Sequence, residues 1–572
     1  NIDKLTIGAT RLAIRDVTNG SQPFFNKEFN LYSSLNGEIY NYSSLRKLIE
    51  KKGYKFKTNC DTEIIGPGYY FFKDKFFNMI NGMFAIGIYD KKKKYFILSR
   101  DRFGIKPLYF YHTNEKFIYS SSAKSIYEQS WFEKKINNKS LISVLKKRYI
   151  ENDEHIFENL LQVKRGSILK LYVDGGLKKN LFVKLNSFEK KLNINDEVED
   201  FFEKGISNYN LADVDIGILL SSGVDSNLLS SYLSQKKTKN YSINFSNSKF
   251  SEKSKLTEYY KEKKIKFINY DHKKLIKSIL PAVKSFDSPI CDGVIFPMHE
   301  LFRVIKKDKT KVIISGEGAD EIFGGYYYLK IAKLIFFINK LWLNFLIKNI
   351  IKITNHRVLN YFFNYQGNLG NIGKKRFLKF LNIKKPKIRD FENLITVFDD
   401  QELERLLIHS IPIRRSSNRN LMNISDLNSS TGLNWLSKYN CFKLDQISMN
   451  FGIEARVPYL DNSFYKIFFL LNKNKFFNTS KKILRNILLK KSNLKINKKI
   501  AFQNYTNLEK KRKIIKYAEK NFSDKNKIFK FIRFDEYKKI LRNYKLSDEI
   551  LLEKKFFSIL ILTIWFEKNL WK

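Results

Sequence analysis

Along the first 175 residues, apolar positions come in short runs, several alternating with polar ones, as in half-buried strands. Strands are expected at Leu5–Ile14, Phe29–Leu35, Met83–Tyr89, Tyr95–Arg100, Phe117–Ser121 and Ser167–Val173. Turn-forming residues separate them: Asn36-Gly37, Phe103-Gly104 and Asp174-Gly175-Gly176. Helical spacing intervenes at Tyr42–Lys52 and Thr62–Phe72. The mixture predicts an α+β sandwich over residues 1–177, followed by a polar linker at 178–196.

From residue 197 the pattern changes. A charged helix at Glu197–Tyr209 precedes an apolar strand, Val214–Leu220, a turn of small residues, Ser221–Ser226, and a helix from Asn227 to Gln235. Strands recur at Lys239–Phe245 and Lys311–Ile314. Strand, loop, helix, strand is the signature of a parallel α/β unit, so residues 197–572 are expected to form an α/β parallel-sheet domain, mostly helical beyond Tyr326.

The longest apolar run, Phe556–Phe566, is too short to span a bilayer and predicts a buried helix. Leu329–Ile353 is rich in Ile, Leu, Phe and Trp, but Lys or Asn interrupts it every few residues. It predicts one or two amphipathic helices packed on their own domain, with attachment to a membrane surface as the alternative.

Composition changes the picture in two places. The net charge of +48 invites a nucleic-acid reading. The lysines are spread along the whole chain, however, and runs such as Lys91–Lys94 and Lys510–Lys513 are short. Lys, Asn, Ile, Phe and Tyr are abundant together, which is what AT-rich codons produce. Genome bias is the expected cause, and no specific nucleic-acid partner is expected. Three distant cysteines, Cys60, Cys291 and Cys441, supply neither a disulfide framework nor paired metal ligands, which suits a reduced, cytoplasmic setting. The chain opens at Asn1 directly into a strand-like run, from which a missing N-terminal segment is expected.

Two stretches carry chemistry. In Leu219–Ser226 (LLSSGVDS) a strand enters a small-residue turn and then a helix, a place where free backbone N–H groups can hold phosphate oxygens. Asp225 there could hold Mg²⁺. In Ser315–Tyr326 (SGEGADEIFGGY) three acids fall within five positions after a strand. Such acids repel one another unless a cation or a proton is shared among them.

LLSSGVDS resembles the SGGxDS pyrophosphate loop of the N-type ATP pyrophosphatases, with Ser222 in place of the first Gly of the pair. SGEGADEIFGGY is similar to the motif of glutamine-hydrolysing asparagine synthetases. Glu454–Asp461 (EARVPYLD) and Lys499–Phe502 (KIAF, with Ala501 in place of Gly) are similar to two further motifs of that family. Glu454 and Arg456 read equally well as a structural salt bridge. The first part resembles a class II glutaminase domain, of Ntn-hydrolase-like αββα fold, through Arg11–Ile14, Asn36–Asn41 (NGEIYN), Asp61–Glu63 and Arg100–Tyr109.

The resemblance implies ATP-dependent amidation of aspartate through β-aspartyl-AMP, with ATP and Mg²⁺ required and ammonia drawn from glutamine. It implies nucleotide contacts at Leu220, Ser221, Ser222, Gly223, Asp225, Ser226, Ile243, Ser315 and Gly316, and metal contacts at Asp225 and Asp320. Glu317 would take a proton from the attacking ammonia, and Lys499 would steady the acyl-adenylate. Arg11, Ile14, Asn36, Gly37, Glu38 and Asp61 would bind glutamine. The small-molecule partners are therefore aspartate and glutamine or ammonia, and a homodimer is compatible with the family. The alternatives are an amidotransferase for another carboxylate, such as a peptide or sugar acid, and a non-catalytic homologue. The family's N-terminal nucleophilic cysteine has no counterpart here, and Cys60 stands where the family has no nucleophile. The chain as given is thus expected to use free ammonia and not to hydrolyse glutamine.

Overall fold

The computed structural model describes residues 5–172, 176–181, 193–233, 238–245, 251–260, 264–325, 337–338, 344–356, 358, 370–383, 387–409, 432–473, 480–496 and 508–570. Strands β1 (Phe24–Asn26), β2 (Leu31–Ile39), β3 (Gly82–Asp90), β4 (Tyr95–Arg100), β8 (Ser167–Tyr172) and β9 (Leu177–Leu181) form one antiparallel sheet in the order β1-β2-β3-β4-β8-β9. A second antiparallel sheet, β6-β5-β7, is built from β5 (Tyr109–His112), β6 (Phe117–Ser120) and β7 (Leu160–Gln162).

Alternation along β3 shows how the layers stack. Phe84, Ile86 and Ile88 point into a core shared with Leu45 and Ile49 of helix Tyr42–Glu50 and with Ile64 and Ile65. Ala85 points the other way, to Phe110 of the second sheet and to Leu108 just before β5, and Leu98 of β4 does the same. A strand covered on both faces has no polar side, which is why β3 reads as a nearly continuous apolar run. Helix Asn138–Lys147 closes the far side with Leu141, Val144 and Leu145. The layers are helix, sheet, sheet, helix, the expected sandwich.

The second part is organised around a five-stranded, all-parallel sheet in the order β12-β11-β10-β13-β14: β10 (Ile216–Leu219), β11 (Lys239–Asn244), β12 (Ile265–Asn269), β13 (Val312–Ile314) and β14 (Glu454–Arg456). The chain leaves central β10 for β11 on one side and later returns to β13 on the other. The carboxyl end of β10 is therefore the topological switch point, where open α/β sheets bind their ligands. Helix Ile550–Asn569 is buried, Phe556–Phe566 included, and Trp565 donates its indole N–H to the Phe286 carbonyl at 3.0 Å. Among the described residues no helix is long and apolar enough to cross a membrane.

Three expectations change. Leu5–Ile14 forms no strand; its polar groups are met elsewhere. The Ile14 carbonyl accepts from the Asp213 N–H at 3.0 Å, and the Arg11 guanidinium donates to the carbonyls of Arg15, at 2.5 Å, and Asp16, at 2.9 Å. The expected linker at 178–196 begins inside β9 and ends in helix Ile194–Asp200, which runs on through a π turn at Phe201–Gly205. Asn36-Gly37 is not a turn between strands: both residues lie inside β2, opposite Ala85 and Phe84 of β3. Of the apolar stretch Leu329–Ile353, helix Asn344–Ile353 buries Ile351 and leaves Phe345 and Ile353 at 73% and 87% exposure, the one-sided packing of an amphipathic helix; residues 329–336 and 339–343 lie outside the described residues.

Candidate functional sites

At the switch point, the Leu220 N–H pairs with the Tyr241 carbonyl of β11 at 2.8 Å, and the chain then turns through Ser221–Gly223 into helix Val224–Leu233. The turn is tied from within. Ser226 Oγ accepts from the Ser221 N–H at 3.0 Å, and Asn227 Nδ2 donates to the carbonyls of Ser221 (2.8 Å) and Gly223 (2.6 Å). Ser222, the departure from the glycine pair, is fully buried. Its N–H and Oγ both donate to Glu252 Oε1, at 3.0 and 2.7 Å.

The second acidic stretch lies beside this turn. After β13, Ser315 is buried, and its N–H donates to the Arg456 carbonyl of β14 at 2.9 Å. Gly316 sits so close that a Cβ there would stand 3.3 Å from Asp225 Cβ. Gly318 has φ +94°, and a Cβ would fall 2.4 Å from Leu460, so both space and backbone demand glycine. Asp225 and Asp320 are thereby brought together, and the ammonium of Lys481 bridges them, 3.2 Å from Asp320 Oδ1 and in contact with Asp225 Oδ1. The Tyr459 hydroxyl donates to the Asp225 carbonyl at 2.9 Å. Glu317 is half-buried at the same turn, its N–H donating to Ser315 Oγ at 3.3 Å, and Ile243 is buried on neighbouring β11. Lys499 falls outside the described residues.

Two carboxylates converging on one cation suit a hard divalent ion. Mg²⁺ commonly takes one or two carboxylates and completes its shell with water and substrate phosphates. Among the described residues no group of three or more His, Cys, Asp or Glu side chains forms a metal cage.

A second polar cluster lies in the first part. Gly37, at φ +140°, runs so close to β3 that a Cβ would meet the Met83 carbonyl at 1.9 Å. This turns Asn36 and Glu38 into a cavity of about 870 Å³, which Arg11, Ile14, Cys60 and Asp61 also line. Asp61 Oδ2 accepts from the Ile39 N–H at 3.0 Å, fixing one acid at the end of β2. Glu38 is held by Arg15 at 2.9 Å and by Arg456 at 3.4 Å. Burial, and then the nearby Asp61 charge, push the Glu38 carboxyl up to about 8, against the pull of Arg456 and Arg15. Asp61 is likewise raised, by burial. Three acids, Glu38, Asp61 and Glu454, face two guanidiniums here, so one retained proton balances the cluster.

The same cavity is lined on its far side by Asp445, Gln446, Met449 and Glu454. Lys106 Nζ pairs with Asp445 at 2.7 Å, nearly dry, and Asn81 Nδ2 donates to Asp461 at 2.7 Å. EARVPYLD is thus the seam between the two parts. The Glu454–Arg456 salt bridge exists, at 2.9 Å, but it belongs to a larger network.

The structure therefore gathers Leu220, Ser221, Ser222, Gly223, Asp225, Ser226, Ile243, Ser315, Gly316, Glu317 and Asp320 at the carboxyl ends of β10, β11 and β13. It gathers Arg11, Ile14, Asn36, Gly37, Glu38 and Asp61 around one cavity. Sequence reasoning missed Lys481, Glu252 and Arg15. With 105 basic residues no single lysine stands out. Arg15 could have been sought as the partner that a buried Glu38 requires.

Comparison with known proteins gives a consistent result. The family model described as Asparagine synthase matches residues 197–567, and that described as Glutamine amidotransferase domain matches residues 2–182. Asparagine synthetase [glutamine-hydrolyzing] 1 of Bacillus subtilis (strain 168) is 32% identical over 329 residues, covering 56% of this chain and 51% of that protein. Asparagine synthetase [glutamine-hydrolyzing] 2 of the same organism is 26% identical over 497 residues, covering 80% and 60%. Asparagine synthetase [glutamine-hydrolyzing] 3 of Arabidopsis thaliana is 28% identical over 333 residues, covering 56% and 53%. The chain spans a little over half the length of these curated relatives.

Proposed function

The chain belongs to the asparagine synthase family, and from that premise we propose that it makes asparagine from aspartate, ATP and ammonia, the ammonia supplied free or drawn from glutamine. The observation that carries the reading is the convergence of Asp225, Asp320 and Lys481 on the phosphate-sized turn at the switch point.

In the proposed reaction the aspartate side-chain carboxylate attacks the α-phosphorus of ATP, pyrophosphate leaves, and β-aspartyl-AMP forms. Ammonia then attacks the acyl carbon, AMP leaves, and the surplus proton is lost from nitrogen. The residues divide these tasks. The Ser221–Ser226 turn would bring the β- and γ-phosphates to the start of helix Val224–Leu233, whose first-turn N–H groups would hold them; the Ser221 and Ser222 N–H groups are engaged by Ser226 Oγ and Glu252. Ser315 and Gly316 would border the nucleotide on the β13 side, with Leu220 and Ile243 giving apolar contact. Lys481 would follow the leaving pyrophosphate as a mobile positive charge, steadying the negative charge that develops there. Glu317 would accept the proton from the attacking ammonia, and Lys499 would lie against the acyl-adenylate. Mg²⁺ bound by Asp225 and Asp320 would neutralise the phosphates.

In the first part, Asn36–Glu38 of β2 with Asp61 would receive the glutamine ammonium, and Arg11 its carboxylate. A cytoplasmic setting fits three free and buried cysteines.

The test is aspartate-dependent pyrophosphate release from the purified chain, with ammonium chloride as nitrogen source and asparagine identified as product. Release that ignores aspartate, or that is faster with another carboxylic acid, would overturn the assignment of the acceptor.

A further inference from the structure

Arg456 ends β14, in register with Ile314 at the end of β13. Its main chain and its side chain serve different places. The carbonyl accepts from the Ser315 N–H at 2.9 Å and so fixes the first residue of the Ser315–Gly318 turn. The side chain, 0% exposed, runs the other way into the seam. Nη1 donates to the carbonyls of Tyr209 (3.0 Å) and Leu211 (2.7 Å), Nε to Glu454 (2.9 Å) and Nη2 to Glu38 (3.4 Å). Glu38 follows Asn36 and Gly37 at the end of β2, on the cavity wall. A single residue thus touches the turn that carries Ser315, Gly316 and Glu317 and the strand end that carries Asn36, Gly37 and Glu38.

A guanidinium is a rigid planar fork. With both ends and Nε engaged, it cannot yield to a shift of Glu38 by rotating freely. Three shorter bonds, to the Tyr209 and Leu211 carbonyls and to Glu454, hold the fork in place, and Glu38 completes it at 3.4 Å. Burial makes each of these bonds costly to leave unmade, so losing the Glu38 acceptor loosens the residue whose carbonyl fixes Ser315. Resting on the nucleotide site described above, we infer that Arg456 is a positioning residue through which the end of β2 at Glu38 sets the geometry of the Ser315–Glu317 turn and hence its affinity for nucleotide. Coupling of this kind is reciprocal: if the state of Glu38 changes nucleotide affinity, nucleotide on the turn changes the equilibrium at Glu38 by the same factor.

The experiment compares the wild-type chain with Glu38→Leu, Glu38→Gln, Arg456→Lys, the double variant Glu38→Leu/Arg456→Lys and Arg102→Gln. Amide hydrogen exchange is followed at Ser315 and Gly316 without ligand, and the dissociation constant of ATP is measured with Mg²⁺ present. Glu38→Leu keeps the bulk of the side chain and removes both acceptor oxygens, whereas Glu38→Gln keeps an acceptor for Nη2 and should stay near wild type. Glu38→Leu and Arg456→Lys are each expected to speed exchange at Ser315 at least tenfold and to weaken ATP binding threefold or more. The double variant should go no further than Arg456→Lys. Arg102→Gln, which breaks a different seam bond, to Asn462, should leave Ser315 exchange as it was.

Unchanged exchange in Glu38→Leu, additive effects, or an equal response to Arg102→Gln would overturn the inference, the last because it would mean general loosening. Exchange that moves while ATP affinity stays fixed would overturn its functional half. A wild-type chain that binds no ATP would instead sink the nucleotide site itself, and the ligand-free exchange would still decide whether the strut exists.

Discussion

Replacing Lys481 by Met keeps the length of the side chain and removes its charge. The ammonium lies between Asp225 and Asp320, and the exposures of the three side chains are 14%, 5% and 22%. Breaking a fully buried ion pair costs about 3–5 kcal/mol. The partial exposure of Asp320 and Lys481 lowers that to about 2–3 kcal/mol. At about 2–4 °C per kcal/mol for a large domain, the loss corresponds to roughly 5–10 °C in Tm. The two carboxylates left behind repel each other, and a divalent cation is the natural remedy. In the variant Mg²⁺ enters an open site, whereas in the wild type it must first displace the ammonium. At ten times its dissociation constant, Mg²⁺ would restore about 1.4 kcal/mol to the variant. The assay is thermal unfolding of both proteins with EDTA and across a series of Mg²⁺ concentrations. A variant as stable as wild type in EDTA, or a Mg²⁺ response no larger than that of wild type, would refute the reasoning. The first outcome would mean that the pair contributes nothing; the second, that the two acids do not form a cation site.

Asp225→Ala should abolish aspartate-dependent pyrophosphate release, and turnover like that of wild type would remove the Ser221–Ser226 turn from the mechanism. Ser222→Gly deletes the 2.7 Å bond to Glu252 and should cost about 1.5–3 kcal/mol, as a hydrogen bond to a charged group does; denaturant unfolding measures it, and no change would mean that the pairing is solvent-compensated. Glu38 is raised from 4.5 to about 8, so between those values the folded chain holds a proton that the unfolded chain has lost, and stability from this group falls as pH rises through that window; a urea series from pH 5 to 8.5 in wild type and Glu38→Gln should show the slope in wild type alone. By the same sign, a glutamine ammonium placed beside Glu38 expels that proton, so calorimetry at pH 7 should record proton release and tighter binding toward pH 8. Duplex DNA should bind weakly, without sequence preference and with steep loss in salt; tight binding at physiological salt would revive a nucleic-acid role for the +48 charge.

The sandwich and the parallel sheet were legible because their strands carry distinct patterns. β4 was read to the residue, and the turn after β10 was recognisable from small residues alone. What escaped has specific causes. β12, Ile265–Asn269, alternates weakly and lies at the sheet edge, where burial imposes little pattern. β14 has three residues and is a strand only because β13 lies beside it. The Leu5–Ile14 run looked like a strand because its apolar residues line a cavity wall, a demand that resembles half-burial in a sheet. The site acids were visible because acids are scarce in this chain and cluster in motifs. Their cationic partners were not, because a lysine or arginine here carries no information until its position in space is known.

That asymmetry bears on how the sites work. The chain has 105 basic and 57 acidic residues, yet both sites are lined by acids: Asp225, Glu317 and Asp320 at one, Glu38, Asp61 and Glu454 at the other. Charge at a distance is screened within about 8 Å at physiological salt, so the global excess of lysine does little to neutralise these groups. Local partners must do so, and the structure supplies too few at the second cluster, where two guanidiniums meet three carboxylates. Such a deficit would be met by a proton in the free protein and by the substrate's ammonium in the proposed complex. The first cluster is balanced differently, by Lys481, which a metal ion would displace or a leaving pyrophosphate would draw away. In both places the resting charge is a placeholder for that of the proposed ligand, which lets one basic chain keep two acidic sites folded while each remains open to exchange.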